Sequence, residues 1–142
     1  MRVLATFALL TLVATTWAGT VQTIKIDPEP VPCNGEETEF KYVNTTRSPL
    51  HVKQVQLWQR VSGPARGFAD VLRVSATERQ IILFGRWLYP SNEYPVFVNF
   101  APDSVPVAPG DSLVLFQGCR EIPPGAGAVV QSVAVIWYTE TP

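Results

Sequence analysis

The chain has 142 residues, of which 46% are hydrophobic and 16% charged, and its formal net charge is −1 at pH 7. That length suits one domain with a core of its own. The near-neutral charge excludes the basic field that draws nucleic acid or an anionic lipid surface, and so low a share of charged residues implies a neutral-polar or partly covered surface.

Residues 1–18, MRVLATFALLTLVATTWA, set Arg2 before an apolar run from Val3 to Ala14 and close on Thr16-Trp17-Ala18. A positive start, a short apolar stretch and small residues at the third-last and last positions read as a secretory signal peptide cut before Gly19. Threonines break the run, which is shorter than the roughly 20 residues of a membrane-spanning helix. The expectation is an exported protein, secreted or at the cell surface (periplasmic in a Gram-negative bacterium), with residues 19–142 as a single domain and no stable membrane insertion after cleavage.

Residues 19–142 show no sustained helical spacing, and strand patterns dominate. TVQTIKI (20–26) alternates, then meets DPEPVPC, whose three prolines forbid a regular central strand. Asn34-Gly35 supplies a turn before ETEFKYVNTT (37–46), where Phe40 and Tyr42 share a face. LHVKQVQLWQRV (50–61) is the longest strand in the middle of the chain. Leu50 and Val52 have the parity of Trp58, whereas Val55, Leu57 and Val61 have the other, so a bulge near Lys53 is expected to change the face. Trp58 and Trp137, both in strands, are assigned to the core.

After the turn-rich SGPARG come FADVLRVS (68–75), the apolar IILFGRWLY (81–89) and VFVNF (96–100). Ala108-Pro109-Gly110-Asp111 fits a type II turn, with proline at the first corner and a positive φ at the glycine. SLVLFQGC (112–119), a Pro-Pro-Gly corner and GAVVQSVAVIWYTETP (127–142) complete the chain. Both parities of that last stretch are apolar, which places it centrally with both faces covered. The sum is an all-β, two-layer antiparallel β-sandwich of jelly-roll or Ig-like topology with about seven to eight strands, and a small closed barrel as the alternative. In an oxidising compartment the cysteine pair, Cys33 and Cys119, reads as one disulfide.

Catalysis finds little material. His51 is the single histidine, mid-strand between Leu50 and Val52, and reads as a strand residue with a local hydrogen-bond partner rather than a base. No glycine-flanked serine elbow is present. One histidine without a methionine beyond Met1 cannot build a cupredoxin-like copper site. Asp27, Glu29, Glu36, Glu37 and Glu39 read as solvated charges rather than the paired carboxylates of glycoside hydrolysis. Calcium between Asp27, Glu29 and Asp111 has no supporting loop spacing. No catalytic residue, metal or cofactor is assigned, and the chain is expected not to be an enzyme.

The richest polar–aromatic stretch is GRWLYPSNEYPVF (85–97). Arg86, Trp87, Tyr89, Asn92, Glu93 and Tyr94 combine aromatic platforms with amide and charged groups, the amphipathic mixture used by sugar-binding loops and protein interfaces. Asn44-Thr45-Thr46 is a sequon, so Asn44 is a candidate glycosylation site and a marker of surface position.

The pattern of an export signal, a single disulfide, and Gly127 preceding Tyr138 by 11 residues in a C-terminal strand resembles the subunits of chaperone–usher pili. It departs from them in that Cys33 and Cys119 bracket most of the domain and four residues follow Tyr138. The resemblance implies that TVQTIKI acts as a donor strand completing a neighbouring subunit. The functional expectation is a secreted, non-enzymatic structural or protein-interaction module, an adhesion or surface-assembly subunit that meets another chain, or itself, at a sheet edge. A carbohydrate- or small-ligand-binding module using the loop 86–95, with a glycan as partner, is the alternative.

Overall fold

The computed structural model describes residues 19–85, 96–100 and 102–141. Its strands are β1 (Gln22–Ile26), β2 (Val31–Pro32), β3 (Thr38–Val43), β4 (Leu50–Ser62), β5 (Arg66–Val74), β6 (Arg79–Phe84), β7 (Val96–Asn99), β8 (Val105–Val107), β9 (Ser112–Arg120) and β10 (Val129–Glu140). No helix occurs among the described residues. One sheet is six-stranded in the order β1-β10-β4-β7, with β2 on β10 and β8 on β4; the other is four-stranded in the order β3-β9-β5-β6.

This connectivity separates the two sandwich topologies that the sequence leaves open. β2 extends the β1 position and β8 the β7 position, so the ten strands fill eight places. The chain changes sheet at almost every step between places and remains in one sheet only from β5 to β6. Two four-place sheets wound in this way form a jelly roll. The prolines act as expected: the proline-rich segment 27–32 contributes only the two-residue β2, at the side of the sheet.

Turn chemistry sets the corners. Gly110 has φ +87° and Asp111 N donates to Ala108 O at 3.0 Å, giving the predicted Pro-Gly turn. Ala126 N donates to Pro123 O at 3.2 Å around Gly125, which has φ +71°.

The main core lies between the sheets. Val52, Val55, Leu57, Ala134 and Ile136 from one sheet meet Ala69, Val71, Leu113 and Leu115 from the other, while Phe40 and Tyr42 pack at the margin. A smaller cluster of Val61, Ala65, Cys119, Ala128 and Val130 surrounds the Cys33–Cys119 disulfide, whose Cα atoms are 5.4 Å apart. Buried Gln59, Ser132 and Gln117 lie among these apolar residues, with Gln59 Nε2 donating to Ser132 Oγ at 3.0 Å.

Two expectations require correction. β10 is central, but only its inner face is fully buried; Val129, Gln131, Val133, Val135 and Trp137 form a half-buried outer face. Trp58 and Trp137 are not core residues. Trp137 pairs with Gln54 and Tyr138 with Val52, so Lys53 is the extra residue of a bulge, and beyond it Val55, Leu57 and Val61 point inward while Trp58 points out. The bulge itself falls where the parity change predicts. At the edge of this sheet, β1 pairs with β10, Gln22 with Tyr138 through Ile26 with Ala134, and buries Ile24 and Ile26.

Candidate functional site

The bulge at Lys53 turns one row of β4 outward: Trp58, Arg60 and Ser62. Opposite them on β10 stand Val133, Gln131 and Val129. Directly opposed residues of an antiparallel pair are neighbours on one face, so this row is a floor of an apolar pair, Trp58–Val133, a polar pair, Arg60–Gln131, and a mixed pair, Ser62–Val129. Trp58 is 43% exposed. The floor holds a hollow of about 360 Å³ lined by Asp27, Trp58, Arg60, Gln131 and Val133, together with Gln59. A second hollow of about 170 Å³ is lined by Pro30, Arg60, Ser62, Val129 and Gln131. The two share Arg60 and Gln131 and so form one trough, walled by the proline-rich segment after β1. Lys25 Nζ stands 2.6 Å from Asp27 Oδ2 and offsets its charge. Farther along the same face, Phe97 of β7, paired with Gln56, is 64% exposed.

The outer face of the four-stranded sheet is different. Phe68 lies over its cross-strand partner Gly118, where a Cβ would come within 2.7 Å of the ring. Phe68 and Phe116 stand 5.7 Å apart between centroids, and the Arg120 guanidinium lies 5.1 Å from the Phe68 centroid. A pocket of about 130 Å³ is lined by Phe68, Asp70, Phe84, Gly85 and Arg120. Burial pushes the Asp70 carboxyl above its ordinary value, and the hydrogen bond from Gly85 N to Oδ1, 3.0 Å, pulls the other way. Gly85 tolerates no side chain, since a Cβ there would fall 1.8 Å from Ala69 O. Arg79 of β6 and Glu39 of β3 form an ion pair although their strands are opposite edges of the sheet. It therefore crosses the outward side of β5 and β9, where Leu72 and Val114 are buried.

His51 makes local contacts, Nε2 with Thr141 Oγ1 and Nδ1 with Ser104 Oγ at 3.4 Å. Of the early carboxylates, Asp27, Glu37 and Glu39 pair with Lys25, Arg120 and Arg79 respectively rather than with one another. Among the described residues no group of three His, Cys, Asp or Glu side chains is placed to hold a metal ion.

Asn44, expected at the surface, is 1% exposed. Its Nδ2 donates to Ser48 O and Val107 O at 3.0 Å each, and its Oδ1 accepts from Thr46 N at 3.0 Å and Thr46 Oγ1 at 2.7 Å. The Asn44 and Thr46 side chains thus tie the 44–48 turn to Val107, with both Asn44 Nδ2 bonds made to backbone carbonyls. The loop candidates Arg86, Trp87, Tyr89, Asn92, Glu93 and Tyr94, and the signal segment 1–18, lie outside the described residues. The trough around Trp58 was missed by assigning that residue to the core; carrying the parity change at Lys53 along the whole strand would have found it.

The fold and surface define the chain as an all-β jelly-roll sandwich stapled by one disulfide. No protein-family model matches it, and no curated protein matches it by sequence. Among solved structures it is similar to a chain in "Structure of infectious bursal disease virus Gt strain", with 8% identity and a TM-score of 0.31 over 88% of this chain and 36% of that one. It thus spans about a third of the length of that chain.

Proposed function

We propose that this protein is an exported, non-enzymatic β-sandwich that works by contact with another protein chain or a second copy of itself. The observation that supports this reading is the edge strand β6, where Ile81 is 52% and Phe84 65% exposed. Large apolar side chains turned to water on an edge strand are a template for association, because they are buried when another chain packs or pairs there. β1, at the edge of the other sheet, is a weaker template: its Ile24 and Ile26 are committed to its own core, and Lys25 projects outward.

Sedimentation of the purified protein across a range of concentrations tests the reading. Association that rises with concentration is expected, and Ile81→Lys with Phe84→Glu should abolish it while leaving the thermal melt in place. A protein that stays monomeric at every concentration, or whose association ignores the double variant, would overturn the assignment to β6.

A further inference from the structure

We propose that the trough on the outer face of the six-stranded sheet binds a short oligosaccharide, with one pyranose ring stacked on Trp58 and a second toward Ser62. Four observations carry this. First, the indole is presented by β4, whose pairing with β10 runs along the whole trough, so the platform is rigid. Aromatic faces take the CH side of a sugar ring as they take other apolar surfaces.

Second, the polar groups beside the ring are unspent. Among the described residues, neither the Arg60 guanidinium nor the Gln131 amide has a hydrogen-bond or ion-pair partner, and each is a planar fork that can bond two neighbouring hydroxyls. Third, they stand directly opposite one another, Gln131 against Arg60, next to the Val133–Trp58 pair. An apolar platform thus adjoins a hydroxyl-binding pair, two residues along the same face.

Fourth, the dimensions fit more than one ring. The larger hollow, about 360 Å³, lies within the range of small-ligand sites, about 300–1,000 Å³. The smaller hollow continues it across the Arg60–Gln131 pair. The run from Trp58 to Ser62 spans about 14 Å of strand. A peptide is the poorer fit, because the floor's hydrogen bonds are committed to the β4–β10 ladder and offer no strand to extend. Since Asp27 is offset by Lys25, and Arg60 has no ion-pair partner among the described residues, the lining favours sugars bearing an acidic group.

The test is a glycan array carrying neutral, uronate, sialylated and sulfated oligosaccharides, followed by titration of any binder under tryptophan fluorescence. Binding accompanied by a fluorescence change is expected, stronger in the acidic arm. Trp58→Ala and, separately, Arg60→Ala should each weaken it about tenfold or more. Arg60 lies on the exposed face, so its variant keeps the question open should Trp58→Ala fold poorly. Trp87→Ala and Tyr94→Ala should leave binding intact. An array without a binder, or binding that survives at Trp58 and Arg60 but is lost at Trp87 or Tyr94, overturns the proposal. The Ile81→Lys, Phe84→Glu variant separates this site from the association surface, because it should bind glycan as the parent does.

Discussion

Asn44 shows how one side chain can carry a junction. Its amide joins the 44–48 turn to Val107, while its backbone exchanges hydrogen bonds with Gly110 and Asp111. Asn44→Ala would leave buried Val107 O without that donor and Thr46 without its acceptor. The expected cost is about 1–3 kcal/mol of stability, measurable by denaturant titration, and mass analysis of the native protein should show residue 44 unmodified. Asp70 carries a pH-dependent cost. Its folded pKa is raised, so between the ordinary 3.8 and that raised value the folded state holds a proton that the unfolded chain has released. Stability contributed by the protonated form is therefore lost as pH rises through that window. Asp70→Asn keeps an acceptor for Gly85 N and removes the charge. Its melting temperature should exceed the parent's at neutral pH, with the difference vanishing below 3.8; a lower value at neutral pH would contradict the assignment.

At the scale of elements, β1 is a structural strand first. Ile24 and Ile26 are buried against the main core, and the whole strand pairs with β10. Ile24→Ala is expected to destabilise the protein by about 2–5 kcal/mol through lost burial and the cavity left behind. Deleting 20–26 would remove both isoleucines and uncover β10, so loss of association after that deletion would report unfolding as readily as a missing donor strand. Urea unfolding of the Ile24→Ala monomer isolates the folding term; an unchanged midpoint would mean that β1 detaches freely. β4 shows the opposite balance. Alternation through Leu57, Gln59 and Val61 was legible, and so was the bulge at Lys53, because inserting one residue reverses parity. The exposure of Trp58 follows from the same reversal, yet a lone tryptophan in a strand suggests burial when its neighbours are unknown.

For the whole molecule, the disulfide joins positions 86 residues apart, linking the segment after β2 to β9 in the opposite sheet. Closing so long a loop restricts the unfolded chain by about 4–5 kcal/mol in the chain-entropy account. Reduction with alkylation should lower the unfolding midpoint by a corresponding amount, and an unchanged midpoint would show that native contacts alone hold this end. Because Cys119 also packs in the smaller cluster, the loss should appear first there, as faster amide exchange near Ala128 and Val130 than in the main core.

The sequence by itself determined the local elements. Period-two patterning, Pro-Gly corners and the bulge at Lys53 are short-range consequences of side-chain alternation and allowed backbone angles, and a chain of this composition buries its apolar residues best as two sheets. The partnership of Cys33 and Cys119 was also legible, since only two cysteines are present. Tertiary structure alone decided the jelly-roll order, the place of β1 beside β10, the burial of Asn44 and the trough beside Trp58. Each of these depends on which distant strands become neighbours. A period of two separates the faces of a strand but does not say what will stand across from them, and that is settled only when the sheets close on one another.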